Sequence, residues 1–144
     1  MKILIPTLVA TMLALASCVS TPSMSDSQKL ALYRAHAGAP VSSFHYFGRF
    51  DSWTDIGDRA LAIWTRPSEA WLLELSGPCN GLDFAQAIGL TSTTGMVSAR
   101  FDSVLVRNGG VPDFPCTIQT IRPLDTKALK QAEHTARDQA SGGT

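Results

Sequence analysis

The sequence has no net charge and lacks the short motifs that identify common enzyme classes. Twelve basic and twelve acidic residues leave the 144-residue chain formally neutral. Because nucleic-acid-binding domains carry a basic face, we expect no nucleic-acid partner. The chain contains no G-x-S-x-G elbow, no P-loop, no G-x-G-x-x-G and no H-E-x-x-H. The sequence therefore predicts no cofactor and gives no motif-based reason to expect catalysis.

Cysteine is scarce, and its spacing is not that of a metal site. The chain has three cysteines and three histidines but no C-x-x-C or H-x-x-x-H, so we predict no bound metal. Cys79 in SGPCNG and Cys116 in DFPCTI each follow a proline. In an oxidising compartment an even pair of this kind indicates a disulfide. A redox-active pair is the alternative, although the two cysteines lack C-x-x-C spacing.

One long apolar run occurs, and it lies at the N-terminus. Lys2 precedes an apolar stretch over residues 3–16, and small residues follow. This layout is typical of a secretory signal peptide, which we assign to residues 1–17. The run is too short for a comfortable bilayer span. We therefore expect the mature chain to work in the cell envelope.

The end of this segment resembles the lipobox of bacterial lipoproteins. Residues 15–18 read LASC, and in that family the cysteine, here Cys18, is acylated (palmitate is expected) and becomes the first mature residue. Val19 follows instead of an aspartate, which implies sorting to the outer membrane with the domain facing the periplasm. Two alternatives stay open: cleavage after Ala16, which releases a soluble periplasmic protein, and an uncleaved anchor. Residues 18–25 are typical of a short flexible tether.

The rest of the chain is long enough for one domain. We assign residues 26–139 to a single globular domain and residues 140–144 to a disordered tail. Cap residues and apolar spacing predict a helix over residues 27–37. Asp125 is expected to cap a second helix over residues 126–139.

Between these helices the pattern changes to the period-two alternation of β-strands. Alternation runs from Ser43 to Asp51, and DRALAIWT and EAWLLELS are predicted to form a hairpin around residues 66–68. MVSARFDSVLVR predicts one strand ending in a turn at residues 108–110, CTIQTIR predicts a fifth strand, and NGLDFAQAIGL predicts one or two helical turns. The expected fold is α+β but mainly β. It is an antiparallel sheet of about five strands, curved or closed into a small barrel, with a helix at each end.

Large aromatic side chains are predicted to lie in the core. Trp64 and Trp71 flank the hairpin and are expected to pair across it, while Phe50 and Phe101 lie on neighbouring strands. Burial of such side chains contributes much of the stability of a small domain. The alternative is that these rings line a groove for a glycan or a peptide.

The tetrapeptide RFDS occurs twice, beginning at Arg49 and at Arg100. In a strand, its arginine and aspartate share one face and its phenylalanine lies on the other. If the two strands are neighbours, Arg49 faces Asp102 and Arg100 faces Asp51, which would help to specify their register. The alternative hypothesis is that these four side chains form a charged binding patch.

The titratable residues do not form a recognisable catalytic set. Glu74 in WLLEL either faces solvent or is buried against an arginine such as Arg122, and its pKa is the one we most expect to be shifted. His45 is interpreted as a structural or surface residue. A hydrolase that uses Asp51, Glu74 or Asp102, with His45 as a helper, is the alternative to a binding function.

Four stretches resemble a family of small, uncharacterised envelope proteins of proteobacteria. They are RFDSWTDIGDRALAIW, EAWLLELSGPCNGLDFAQAIGLTS, ARFDSVLV and CTIQTIRPLD, and the resemblance spans residues 43–125. It implies the envelope compartment and agrees with a disulfide between Cys79 and Cys116. It supplies no activity, ligand or catalytic residue.

These observations predict a non-enzymatic, lipid-anchored periplasmic module. Its expected partners are the membrane, through the N-terminal lipid, and an envelope protein or glycan. The small carboxylate-dependent hydrolase of the cell envelope remains the alternative.

Overall fold

The computed structural model describes residues 23–109 and 113–142. The predicted signal peptide, the acylation site Cys18 and most of the predicted tether lie outside the described residues. Gly110, the last residue of the predicted turn, also lies outside them, as do the last two residues of the predicted tail.

The described residues form a mainly β fold with a helix at each end, as the sequence predicts. The antiparallel strands curl into a half-barrel. Eight strands are present in the described ranges where about five were expected. A turn divides the strand predicted for MVSARFDSVLVR into two, and the alternation from Ser43 forms only a short strand, which a separate strand at Ser52–Asp55 follows. A further strand at Ala87–Leu90 lies where helical turns were predicted. The helices are α1 (Asp26–Ala35) and α2 (Thr126–Ser141), and the strands are β1 (Ser43–His45), β2 (Ser52–Asp55), β3 (Ala60–Arg66), β4 (Glu69–Leu75), β5 (Ala87–Leu90), β6 (Met96–Ser98), β7 (Ser103–Arg107) and β8 (Phe114–Leu124).

The long strand β8 joins the two halves of the main sheet. The sheet has the order β2-β3-β4-β8-β7-β5, and β1 and β6 form a separate two-stranded ribbon. The first part of β8 pairs with β7 through Thr117, and the second part pairs with β4 from Ile118 onward. The register with β4 shifts between Glu74 and Leu75. Such irregularities bend a strand and increase its twist, which accounts for the curl.

The main sheet carries one hydrophobic cluster on each face. On β3, Leu61 and Ile63 belong to the cluster that the β1–β6 ribbon covers. Ala60 and Ala62 belong to the other cluster, which contains Tyr33 of α1 and Leu129 of α2. Successive residues of a strand face opposite sides of its sheet, so both faces of this strand are buried. The small alanines let the helices approach the sheet closely.

Both predicted helices are present, with small shifts at their ends. The Ser25 hydroxyl accepts a hydrogen bond from the Gln28 amide, and the Gln28 side chain accepts one from the Ser25 amide. This capping box starts α1 one residue earlier than predicted. The Asp125 carboxylate accepts a hydrogen bond from the Ala128 amide at 3.0 Å, which confirms the predicted cap of α2. Helix α2 continues to Ser141, two residues into the predicted tail.

The prediction that both RFDS copies lie in strands is wrong. The first copy follows Gly48, whose φ is +79°, and its first three residues lie between β1 and β2. The second copy begins in a turn between β6 and β7, where Arg100 has a φ of +68°. Residues in that left-handed region interrupt a strand. Phe101 is consequently 87% exposed, and the expected cross-strand pairing of the two copies is not formed.

The β3–β4 hairpin is confirmed, but the expected pairing of its two tryptophans is wrong. Trp64 lies opposite Ala70, and Trp71 lies opposite Ile63. Trp64 therefore packs with the helix-side cluster, whereas Trp71 packs on the ribbon side. The region predicted to hold one or two helical turns contains one 3-10 turn and strand β5. Neither described helix is long and apolar enough to cross a bilayer.

Candidate binding cleft

A concave surface lies where the β1–β6 ribbon meets the β3–β4 hairpin. Its volume is about 490 Å³, within the range typical of small-molecule sites. We call it the aromatic–arginine cleft and define it by Phe44, His45, Phe47, Arg49, Arg66 and Trp71. Ser43, Thr65, Glu69 and Met96 complete its lining.

The aromatic wall of the cleft is held by packing in the core. Phe44 is 2% exposed, and its ring stacks on Trp71 with 5.0 Å between centroids and 14° between planes. Trp71 itself is half-buried, and its Nε1 is buried without a hydrogen-bond partner in the described residues. The rings of His45 and Phe47 lie nearly parallel, 6.2 Å apart. Because Phe44 fixes the indole from behind, the wall is pre-organised rather than assembled on binding.

The cleft carries an excess of positive charge. Glu69 accepts a hydrogen bond from the Thr65 hydroxyl at 2.5 Å and lies 4.0 Å from the Arg66 guanidinium. Arg49 forms no ion pair with any residue that the structure describes. One carboxylate therefore faces two guanidinium groups. An excess of this kind raises the local concentration of anions.

Glu74 lies on the opposite face of the sheet, where it forms two ion pairs. Its carboxylate contacts Arg34 of α1 directly and lies 3.7 Å from Nε of Arg122 on β8. The side chain of Glu74 is 16% exposed. Of the two alternatives left open for Glu74, the structure shows the pairing with arginines, Arg122 among them. Glu74 thus connects α1 to the sheet.

The other residues proposed for the hydrolase lie in separate surroundings. His45 lines the aromatic–arginine cleft, and Asp51 lines a different cavity beside Trp64. Asp102 is 5% exposed, and its carboxylate accepts hydrogen bonds from the Thr91 hydroxyl and the Ser98 amide. Within the described ranges, no hydrogen bond or ion pair joins any two of His45, Asp51, Glu74 and Asp102. These residues do not form a catalytic set.

The four RFDS charges do not share one surface cavity either. Arg49 lines the cleft, whereas Arg100 lines a cavity at the other end of the β1–β6 ribbon. Asp102 is buried and Asp51 is exposed. The hypothesis of a single charged patch is therefore not supported by the positions of its members.

The predicted disulfide is present and joins the loop after β4 to the start of β8. Cys79 and Cys116 are bonded, with 5.7 Å between their Cα atoms. Both residues are buried in the ribbon-side cluster. Among the described residues, no group of three or more His, Cys, Asp or Glu side chains is arranged to hold a metal ion.

Comparison with known proteins places the chain in a family without an assigned activity. A family model described as "Family of unknown function (DUF6491)" matches residues 1–140. The chain belongs to this family. The resemblance expected from the sequence is confirmed to the extent of an uncharacterised domain family. No curated protein and no solved structure matches the chain.

Sequence reasoning missed Phe47, although the sequence contained a signal for it. In the alternation from Ser43 onward, Phe44 and Tyr46 occupy the inward positions, and both are buried. Phe47 is an apolar residue at an outward position, and it is 76% exposed. One exposed apolar residue carries no meaning alone, but Phe47 shares the cleft with Trp71 and Arg49, and its departure from the predicted alternation was the signal in the sequence. Thr65 and Met96 carried no comparable signal.

Proposed function

We propose that this protein is a non-enzymatic, lipid-anchored module of a proteobacterial envelope that binds an acidic glycan in the aromatic–arginine cleft. One observation carries the proposal. An indole held by a buried phenylalanine lies in one cavity with Phe47 and with two arginines that outnumber the acids.

The chemistry of the cleft suits a sugar that carries a carboxylate. A pyranose ring has an apolar face of C–H groups, which packs against flat aromatic surfaces such as Trp71 and Phe47. The planar guanidinium groups of Arg49 and Arg66 are suited to paired hydrogen bonds with a carboxylate. The Ser43 hydroxyl lines the cleft and can bond a sugar hydroxyl, whereas the Thr65 hydroxyl donates to Glu69 and is left to accept. Acidic glycans are components of the compartment that we propose for the protein.

The anchor that we propose is an acylated Cys18, with palmitate among its acyl groups, in the outer membrane. From Cys18 to Ser25 the chain has eight residues before α1 begins at Asp26. Fully extended, such a segment reaches about 28 Å. An anchored domain would therefore stay close to the inner surface of the outer membrane, facing the periplasm. Several acyl chains together give durable attachment.

The binding proposal is tested by titrating the protein with defined saccharides while following tryptophan fluorescence. The ligands are soluble peptidoglycan fragments with free carboxylates, and neutral N-acetylglucosamine oligomers serve as the comparison. We expect the acidic fragments to bind, and we expect Arg49→Ala and Phe47→Ala each to weaken binding by about tenfold or more. Arg59→Ala is the matched control, because Arg59 is an exposed arginine outside the cleft. Equal affinity for both ligand types, or an equal loss in the Arg59 variant, would contradict the proposal.

The anchor is tested separately by metabolic labelling with an acyl-chain probe. The wild-type chain should be labelled and Cys18→Ser should not, while both should retain the disulfide-bonded domain. An unlabelled wild-type protein whose mature N-terminus is Ser17 would support the secreted soluble alternative. Among the described residues, nothing favours the hydrolase alternative.

A further inference from the structure

The second RFDS copy is part of a turn built around a buried carboxylate. Asp102 Oδ1 accepts a hydrogen bond from the Thr91 hydroxyl at 2.7 Å, and Asp102 Oδ2 accepts one from the Ser98 amide at 2.8 Å. Thr91 Oγ1 in turn accepts one from the Ser103 amide at 2.8 Å. We call residues 98–103 the RFDS turn. Its aspartate fixes the local backbone and is not available as a surface charge.

Contacts with β8 fix the same turn from a second side. The Arg100 amide donates to the Ile118 carbonyl, and the Ile118 amide donates to the Asp102 carbonyl at 3.0 Å. Arg100 keeps its φ of +68°, which residues other than glycine adopt rarely and at an energetic cost. The turn therefore holds an arginine where glycine would fit the backbone better.

The side chains that this fixed backbone presents to solvent are Arg100 and Phe101. Phe101 is 87% exposed, and Arg100 forms no ion pair with any described residue. A single exposed apolar residue is common on protein surfaces and carries no meaning alone. Here, however, the two side chains line a concavity of about 760 Å³ together with Val41, Ser98, Gln119 and Arg122. Among the residues that the structure describes, no acidic side chain lines that concavity.

We propose that the RFDS turn and this concavity form a docking surface for an acidic segment of a partner protein. The described lining contains arginines, hydroxyls and an amide but no carboxylate, so it complements an acidic chain. A flat bilayer would leave the concavity unfilled, whereas an extended peptide fills it. Phe101 is held in advance of binding, as expected for an aromatic anchor at an interface. This surface shares Ser43 with the aromatic–arginine cleft but has its own arginines and its own aromatic residue, and the proposal does not depend on the glycan.

The first RFDS copy provides an internal comparison. Its aspartate, Asp51, is exposed and makes no side-chain hydrogen bond in the described residues, and its phenylalanine, Phe50, is half-buried against the core. The same four residues therefore present an anchor only where the aspartate is buried. We expect the docking surface to involve the second copy alone.

The test places a photocrosslinking phenylalanine analogue at position 101 of the full chain in its native host. Phe84 is the matched control position, because it is 80% exposed and does not line the concavity. Position 101 should give one discrete protein adduct that position 84 does not give. Mass spectrometry should locate the adduct in a segment rich in Asp or Glu. A lipid adduct, the same adduct from both positions, or no adduct would overturn the proposal.

Arg100→Gly isolates the charge, because glycine accepts the positive φ and leaves the turn intact. This substitution should reduce the adduct by about tenfold. A synthetic peptide of the crosslinked segment should bind the purified chain, and its Asn/Gln counterpart should bind about tenfold more weakly. Arg59→Gly, which changes an exposed arginine elsewhere, should leave both measurements unchanged. An adduct that is insensitive to Arg100→Gly, or equal binding of the two peptides, would contradict the acidic partner.

Discussion

Reduction of the Cys79–Cys116 disulfide should lower the free energy of unfolding by an amount set by the loop that the bond closes. The two cysteines are 37 positions apart. In the chain-entropy model, releasing a loop of that length returns about 13 cal/mol/K to the unfolded ensemble, or about 4 kcal/mol at 25 °C. Small domains are stable by about 5–15 kcal/mol in total. The reduced protein should therefore still fold, but with a small margin.

The native state should change little on reduction, because the segments around both cysteines are held by other contacts. The Cys79 amide donates to the Asp58 carbonyl at 2.7 Å, and the Leu82 amide donates to the Cys79 carbonyl. Cys116 lies in β8, opposite Val104 of β7. The loss should therefore arise mainly in the unfolded state. An unfolded chain without the bond is also more expanded, so the urea m-value should rise.

Urea unfolding followed by tryptophan fluorescence measures both quantities. The oxidised and reduced forms are compared in Cys18→Ser, so that the third cysteine cannot exchange. We expect the midpoint to fall by about 2 M in urea. A fall in stability below about 1 kcal/mol would refute the loop argument. Two free thiols at Cys79 and Cys116 in protein isolated without a reductant would refute the disulfide itself.

Three further changes have outcomes that the structure determines. Burial, and then the hydrogen bond to Glu133, raises the pKa of Tyr33 above its ordinary 10.0. The free energy of unfolding should therefore hold below pH 10 and fall as the pH rises toward that raised pKa. Urea unfolding of Tyr33→Phe should show a smaller loss of stability at alkaline pH. Glu74→Gln leaves two arginines unpaired and should lower the free energy of unfolding by about 1–3 kcal/mol. The control Glu69→Gln, at an exposed ion pair, should lower it by less than about 1 kcal/mol in the same assay. Arg100→Gly relieves the strain of the positive φ and should raise the free energy of unfolding, measured by thermal unfolding, by up to about 1 kcal/mol. A lower stability of this variant would contradict the inference that Arg100 is strained.

The sequence predicted an element correctly where a local rule and the tertiary fold favour the same structure. Asp125 caps α2 because a carboxylate before an apolar-periodic run satisfies the first free amides. The β3–β4 hairpin follows from two β-type runs on either side of Pro67. The register of that hairpin did not follow, because the irregularity between Trp64 and Arg66 shifts the pairing by one position. A shift of that size moves a side chain to the opposite face, which separates the two tryptophans.

The interrupted strands could not be predicted, because the interruptions depend on distant partners. Arg100 reaches a positive φ only because Ile118 of β8 holds the backbone on either side of Phe101. Residues 96–108 contain no glycine, so the local sequence continued to indicate a strand. Thr91, which positions the Asp102 carboxylate, is eleven residues away. The aromatic–arginine cleft also required the ribbon to meet the hairpin, a contact that alternation alone does not specify.

The two RFDS copies adopt different structures although their four residues are identical. Four identical residues have the same intrinsic preferences, so the difference between the copies must come from their surroundings. Gly48 supplies the positive φ before the first copy, and that copy buries part of Phe50 and leaves Asp51 in solvent. The second copy has alanine in place of that glycine, and Arg100 itself adopts the positive φ. The two hydrogen bonds of the buried Asp102 carboxylate offset the energetic cost of this φ. As a result, the turn presents Phe101 to solvent. Glycine at position 100 would remove this strain, yet the chain keeps an arginine there beside an exposed aromatic residue. Selection for binding a partner explains this better than selection for stability.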